Sequence, residues 1–337
     1  MNIKWFNIPN EKFRLYGVLN DFTRLPREFA SQISDGVYGN SLCPAGGRVR
    51  FATNSKNIYI KADMSKTRGV GFDLYRLENG SEICIAGLRR PEGFIFDGIF
   101  EAQRTTDSDD ENVHTYTLNF PYMGEIKSLS VGIDEEALLE TPQEYFNSKP
   151  IVFYGSSITH GAWASRPGNT YLSMISQKYN LNYTNMGFAG SALGEEKIIR
   201  YISELKMSAF VCDYDHNAPD IKHLKNTHRR VYEIIREKGG GIPYIIVTRP
   251  DYYKNPTENE ERRRIIYQTY EYAAQQGVKK VFFVDGKTLF DGEHYRNCTK
   301  DGCHPNDMGF YRMAEKIGSV IAEALDISDE KQHDAHL

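Results

Sequence analysis

The chain has 337 residues, of which 40% are hydrophobic and 26% charged, and its formal net charge is −4. This charge, with lysines and arginines spread along the chain, indicates neither a nucleic acid nor an anionic membrane as partner. No stretch approaches the ~18 apolar residues of a membrane-spanning helix. The length exceeds what one hydrophobic core usually organises, so it favours two domains over one.

The N-terminal residues MNIKWFNIPNEKF lack the apolar core of a signal peptide. As given, the sequence therefore predicts a cytoplasmic protein. A chain from which a leader had been removed would look the same, so a secreted or periplasmic location is the alternative.

The five cysteines are scattered and odd in number, which does not suggest a disulfide framework. Cys298 and Cys303 are close enough in sequence to form a disulfide, although two thiols are the simpler expectation. No group of histidines and cysteines has the spacing of a zinc site. We therefore expect no metal and no organic cofactor.

Residues 1–148 show short segments in which apolar and polar residues alternate, as in RVRFAT and NIYIKA. This period of two is typical of half-buried strands. Asn79-Gly80, between two such segments, favours a hairpin turn, and Gly71 to Tyr75 is expected to lie on a strand. The charged stretch from Thr105 to Asn112 is expected to form an exposed loop. Together these features predict an accessory antiparallel β-sandwich domain.

Residues 149–327 instead alternate apolar strand patterns with amphipathic helical patterns, and Asn306 is a good N-cap for the last helix. Such alternation predicts a parallel sheet with helices on both faces. We therefore expect a flavodoxin-like three-layer α/β/α domain, followed by a disordered tail at 328–337.

Polar, glycine-containing segments follow the predicted strands of the second half, where ligands bind in parallel α/β sheets. We expect four segments to meet at one edge of the sheet: Gly155 to Gly161, Asn185 to Gly190, Asp213 to Asn217 and Asp301 to Pro305.

The residue types in these segments suit acyl transfer. A serine on a tight turn at the start of a helix, such as Ser157, needs a nearby base such as His304 to become a nucleophile. A carboxylate three residues before that histidine, Asp301, can fix its tautomer. The main-chain N–H groups of Ser157 and Gly190, and the side-chain amide of Asn217, can stabilise an oxyanion.

These four segments also resemble the blocks of the SGNH (GDSL-like) hydrolase family. GSSITHG resembles the first block, with Ser157 at the nucleophile position, and Gly190 of NMGFAG matches the oxyanion glycine. Asn217 matches the asparagine of the GxND block, while Asp301 and His304 match the closing DxxH block. In the first half, Gly71 to Tyr75 resembles the GxDLY signature of a β-rich domain that precedes some SGNH esterases.

The sequence departs from the family pattern at two positions. Ser156 replaces the common aspartate of the first block, and Asp215 replaces the glycine of GxND. Asp215 adds a negative charge that either disfavours anionic substrates or serves a neighbouring loop.

Four further side chains near this edge have two interpretations each. Arg249 either contacts substrate or pairs with Asp215 or Asp251, and Trp163 either provides a platform for a sugar or acyl group or packs against protein. His216 is more readily explained as a structural histidine than as a substrate contact. His160 is expected near the edge of the sheet but outside the catalytic machinery.

The resemblance implies a serine esterase or deacylase that acts on a short acyl ester, with acetyl on a carbohydrate as the leading expectation. Two alternatives stay open: a carbohydrate-binding protein with an inactive SGNH domain, and an acetylhydrolase of the platelet-activating-factor type. The expected partner is a small-molecule or carbohydrate ester, and a homo-oligomer is an open alternative to a monomer.

Overall fold

The computed structural model describes residues 2–67, 71–89, 95–106, 111–290 and 292–327. The predicted loop at 105–112 lies partly outside these residues, and the predicted tail at 328–337 lies wholly outside them. The first half contains ten strands and two short helices within the described residues: β1 (Ile3–Ile8), β2 (Arg14–Tyr16), α1 (Arg27–Ser31), α2 (Asp35–Ser41), β3 (Arg48–Thr53), β4 (Asn57–Thr67), β5 (Phe72–Glu78), β6 (Ser81–Leu88), β7 (Phe96–Thr105), β8 (His114–Asn119), β9 (Glu125–Asp134) and β10 (Leu139–Glu140).

These strands form two antiparallel sheets. One has the order β1-β9-β4-β7, and the other has the order β10-β3-β8-β5-β6 with β2 beside β3. Apolar side chains from both sheets, among them Ile60 and Leu118, share one buried cluster. The predicted sandwich is therefore confirmed. Asn79 and Gly80 both have positive φ angles, of 47° and 79°, at the predicted turn between β5 and β6, as the tight turns favoured in hairpins require.

The second half alternates strands and helices as predicted. Its elements are β11 (Ile151–Gly155), α3 (Ser157–His160), α4 (Tyr171–Tyr179), β12 (Tyr183–Gly187), α5 (Glu196–Ser203), β13 (Ala209–Asp213), α6 (Ile221–Gly239), β14 (Tyr244–Val247), α7 (Pro256–Gln275), β15 (Val281–Val284) and α8 (Asp307–Ala324).

The five strands pair in parallel in the order β12-β11-β13-β14-β15. This is the flavodoxin-like order, so the predicted fold class is confirmed. Successive residues of β11 enter two different cores, because side chains alternate across a strand. Val152 packs with residues of α5, α6 and α7 on one face, while Phe153 packs with residues of α4 and α8 on the other.

Helices α1 and α2 were not expected in the first half. Ala30 and Val37, together with the preceding Leu25, are fully buried in the core on the α5–α7 side of the parallel sheet. Part of the first half therefore completes the hydrophobic core of the second half. The domain boundary at 148/149 stays a prediction. Among the helices of the described ranges, none has both the length and the apolar character needed to cross a membrane.

Candidate active site

Ser157 is the first residue of α3 and follows β11 after a tight turn. Gly155 allows this turn, because a Cβ there would lie 2.0 Å from Thr159 Oγ1 and 2.5 Å from the Asp213 carbonyl oxygen. The Ser156 hydroxyl accepts a hydrogen bond from Ile158 N and so caps the helix. The residue that replaces the family's aspartate therefore has a local structural role.

The Ser157 hydroxyl lies 2.9 Å from His304 Nε2, although the two residues are 147 positions apart. His304 stands just before Asn306, whose side chain caps α8 by accepting a hydrogen bond from Gly309 N. The short loop before α8 thus carries the histidine back to the turn after β11.

Asp301 uses both carboxylate oxygens to hold this histidine. Its Oδ2 lies 2.8 Å from His304 Nδ1, and its Oδ1 accepts hydrogen bonds from the main-chain N–H groups of Cys303 and His304. Partial burial alone would raise the pKa of Asp301, but these hydrogen bonds lower it to about 2. An ionised Asp301 accepts a hydrogen bond from Nδ1–H of His304, which leaves the unprotonated Nε2 able to accept the Ser157 proton.

Gly190 and Asn217 come to the same edge of the sheet from two other segments. Gly190 is exposed and has a φ of 70°, which a glycine adopts without strain. The Asn217 side chain donates to the Phe188 carbonyl oxygen at 3.1 Å. This bond fixes the segment after β13 to the segment after β12, as the predicted oxyanion site requires.

Asp215, the departure from GxND, is buried and bound by two arginines. Its Oδ1 accepts from Arg262 Nε at 2.8 Å, and its Oδ2 accepts from Arg249 Nε at 3.2 Å. Burial alone would raise the pKa of Asp215, but the two guanidinium groups hold it below its usual value. Its charge is thus neutralised within the protein, in a short 3₁₀ turn (Asp215–Asn217) that contains Asn217.

The two predicted substrate contacts differ in their surroundings. Arg249 has a 14% exposed side chain and donates to Asp215 and Asn259. Its predicted pairing with Asp215 is thus confirmed, while contact with substrate stays a prediction. Trp163 is 53% exposed, has a φ of 74° and lies with its ring centroid 6.0 Å from Lys300 Nζ. A large exposed aromatic ring beside the catalytic loop is available to a ligand.

His160 is fully buried, with Nε2 2.6 Å from the Tyr122 carbonyl oxygen and Nδ1 3.2 Å from Arg24 Nη2. Burial, reinforced by the Arg24 charge, lowers its pKa to about 3. Neutral His160 therefore stabilises the turn after β11 through buried contacts. This agrees with its expected position outside the catalytic machinery.

The sequence analysis missed two residues of the first half that hold this edge. Arg24 donates to the carbonyl oxygens of Asn185 and Gly187, and Asn40 makes two hydrogen bonds to the main chain of Ala189. Both lie in the segment around α1 and α2, and no local pattern links them to residues some 150 positions away.

The GxDLY-like segment lies on β5, as expected, and it also contacts the second half. Asp73 accepts hydrogen bonds from Gly168 N at 2.7 Å and from Asn119 Nδ2 at 3.0 Å. The Tyr75 ring packs so closely that a Cβ on Gly168 would lie 2.2 Å from its hydroxyl oxygen. The signature thus anchors the stretch that runs from Trp163 to α4.

Within the described residues, all five cysteines are thiols, so Cys298 and Cys303 form no disulfide. Cys298 is fully buried beneath α8, whereas Cys303 is partly exposed beside His304.

Comparison with known proteins agrees with this geometry. A family model described as GDSL-like lipase/acylhydrolase matches residues 148–322. A second model, GxDLY, described as the N-terminus of SGNH-hydrolase-type esterases, matches residues 3–139. The chain belongs to the GDSL-like lipase/acylhydrolase family. It is a carboxylic ester hydrolase of that family.

Several solved structures resemble this esterase over nearly its whole length. A protein from Bacteroides ovatus ATCC 8483 classed as a GDSL-like lipase is 25% identical, with a TM-score of 0.83 and coverage of 97% of this chain and 99% of its own. A salicylyl-acyltransferase from a tetracycline biosynthetic pathway is 18% identical, with a TM-score of 0.77 and coverage of 95% and 97%.

An acetyl xylan esterase from the rumen bacterium Butyrivibrio proteoclasticus is 12% identical, with a TM-score of 0.63 and coverage of 97% and 100%. The last two identities are low enough that these structures show the shared fold alone. No curated protein sequence matches the esterase.

Proposed function

We propose that this esterase hydrolyses a short acyl ester, with acetyl as the acyl group and a carbohydrate as the alcohol. Ser157, His304 and Asp301 act as its catalytic triad. The observation that supports the triad most strongly is the hydrogen-bonded chain from Ser157 Oγ through the His304 ring to Asp301.

The steps follow from this arrangement. His304 Nε2 removes the Ser157 proton while Oγ bonds to the ester carbonyl carbon. The negative charge that develops on the carbonyl oxygen is stabilised by the N–H groups of Ser157 and Gly190 and by the Asn217 amide. His304 then gives the proton to the departing alcohol. Water, activated by the same histidine, hydrolyses the acyl-enzyme and releases the acid.

Two observations support this substrate class. The first is the acetyl xylan esterase, which shares the two-part architecture. The exposed ring of Trp163 offers a flat surface on which a sugar can stack, close to the loop that carries His304.

The first test compares hydrolysis of p-nitrophenyl esters from acetyl to octanoyl by wild type and Ser157→Ala. We expect the acetyl ester to be preferred, and the substitution to lower kcat by at least about 10⁴-fold, as for other serine triads. Ser191→Ala, which removes a hydroxyl near the same edge of the sheet, is the matched control and should stay near wild type. Activity that survives in Ser157→Ala would rule out this serine as the nucleophile.

The second test concerns the alcohol part of the substrate. Trp163→Ala should lower kcat/KM about fivefold for an acetylated xylo-oligosaccharide, because a stacking interaction contributes roughly 1 kcal/mol. Hydrolysis of p-nitrophenyl acetate by the same variant should change much less. An equal loss on both substrates would mean that Trp163 shapes the loop rather than contacting sugar. A preference for long acyl chains would instead favour a lipid acetylhydrolase-type or lipase role.

A further inference from the structure

A second cluster of reactive side chains lies beside the residues of the candidate active site. His216 stands in the 3₁₀ turn after β13, Asp251 follows β14, and Cys303 precedes His304. One potential ligand atom from each of the three lies within 4.8 Å of the other two. No sequence motif marks this cluster, because its members come from three separate segments.

Two buried polar atoms of this cluster lack a hydrogen-bond partner. The side chains of His216 and Asp251 are 8% and 4% exposed, and His216 Nε2 lies 3.2 Å from Asp251 Oδ1. Their alignment is nevertheless too poor for a hydrogen bond, and neither atom has another partner in the described structure. A buried polar atom without a partner costs free energy, so a ligand that satisfies both atoms would bind favourably.

The donor set identifies the class of ligand. An imidazole nitrogen, a carboxylate oxygen and a thiolate are ligands that Zn²⁺ accepts at about 2.0–2.3 Å. At such bond lengths, tetrahedral ligand atoms lie roughly 3.3 Å apart, which is close to the 3.2 Å between His216 Nε2 and Asp251 Oδ1. Cys303 Sγ lies 3.6 Å from the other ring nitrogen, Nδ1, so the sulfur must move toward the Nε2 side of the ring to become the third ligand.

We propose that His216, Asp251 and Cys303 bind a thiophilic divalent cation of the zinc type. On binding, the Cys303 thiol releases its proton to solvent and a sulfur–metal bond forms. The thiolate and the Asp251 carboxylate together balance the two positive charges of the ion, so the metal-bound site has no net charge.

Metal binding at this site inhibits the esterase. Cys303 is adjacent to His304 and its N–H bonds to Asp301, while His216 is adjacent to Asn217. Drawing the Cys303 sulfur toward His216 therefore displaces the loop that holds the catalytic histidine. This consequence rests on the proposed triad, whereas the binding site itself does not.

The direct test titrates the chelator-treated full-length protein with Co²⁺ and follows its near-ultraviolet absorption. We expect a thiolate-to-cobalt charge-transfer band that Zn²⁺ abolishes by displacement. Cys303→Ser should lose the band, and Asp251→Asn, which keeps the side-chain shape, should weaken binding at least about tenfold. Cys84→Ser removes a partly exposed thiol on β6 and is the matched control, with wild-type binding expected.

A second measurement follows the rate at which a fluorophosphonate probe labels Ser157, with and without Zn²⁺. Zn²⁺ should slow labelling at least tenfold in wild type but not in Cys303→Ser, each compared with its own metal-free rate. A missing cobalt band at millimolar Co²⁺, or equal binding by Cys303→Ser, would overturn the site. Cobalt binding with unchanged labelling would overturn the inhibition. No labelling of metal-free wild type would contradict the proposed function and leave the cobalt result standing.

Discussion

Two buried aspartates, one at the candidate active site and one at the contact between the two halves, have pKa values shifted in opposite directions. Asp215 is 2% exposed and Asp73 is fully buried. The pKa of Asp215 is nevertheless held below its usual value, because Arg249 and Arg262 outweigh the effect of burial. Burial raises the pKa of Asp73 to about 7, because its neutral donors and the charge of Arg166, 3.9 Å away, are insufficient.

The difference shows that burial alone does not decide the charge of an aspartate. A buried carboxylate stays ionised where guanidinium groups bond to it directly, and it favours the neutral form where only amide donors reach it. At the catalytic edge, the retained charge of Asp215 fixes the turn that carries Asn217. At the contact between the halves, Asp73 serves mainly as a hydrogen-bond acceptor for Gly168.

The largest expected effect comes from making the same substitution at both aspartates. Asp215→Asn removes the counter-charge of Arg262 and Arg249, whose side chains are 2% and 14% exposed. Breaking such a buried pair costs about 3–5 kcal/mol. At pH 6, Asp73→Asn should cost much less, because asparagine resembles the protonated acid and the Asn119 amide can turn to accept its N–H. Urea unfolding of both variants measures their free energies of unfolding. Equal losses would contradict the proposed difference between the two aspartates.

A smaller effect is expected when the proposed oxyanion donor, Asn217, is compared with Asn40, which holds the neighbouring main chain. Asn217→Ala should lower kcat for p-nitrophenyl acetate by roughly 10²–10³-fold, since it removes a donor to the developing oxyanion. Asn40→Ala loosens the main chain of Ala189 without removing that donor, so its kcat should fall less. Equal losses would mean that Asn217 acts only by holding the Phe188 carbonyl group, and that the Asp215 departure has moved the oxyanion site elsewhere.

A pH dependence of stability is also expected from the contact between the halves. Between the usual aspartate pKa of 3.8 and about 7, folded Asp73 keeps a proton that the unfolded chain has released. Its contribution to stability is therefore present below pH 3.8 and is lost as the pH rises toward 7. The slope is at most about 1.4 kcal/mol per pH unit for one proton.

Asp73→Asn removes this titration. The free energy of unfolding of the variant, measured from pH 4 to 8, should therefore fall less steeply than that of wild type. Burial also raises the pKa of Asp213 to about 7. Because Asp213 titrates in both proteins, the difference between the two curves reports Asp73 alone. Parallel curves for variant and wild type would show that Asp73 is ionised throughout.

Much of the fold was predictable because it rests on local patterns. Strand β3 and the hairpin at Asn79-Gly80 follow from residue alternation and turn chemistry, and the parallel order of strands follows the strand–helix alternation. Helices α1 and α2 were missed because they are only 5 and 7 residues long. Their apolar residues are buried by a sheet more than a hundred positions later, so no local period marks them.

The residue types of the candidate site and their order along the chain can be read from the amino-acid sequence alone. Its four segments were recognisable because each must follow a strand or precede a helix of the parallel sheet. Which groups contact one another depends on the folded chain: the 2.9 Å contact of Ser157 with His304, the arginines around Asp215, and the proximity of His216, Asp251 and Cys303. Such contacts depend on how distant segments pack, and sequence spacing carries no information on that packing.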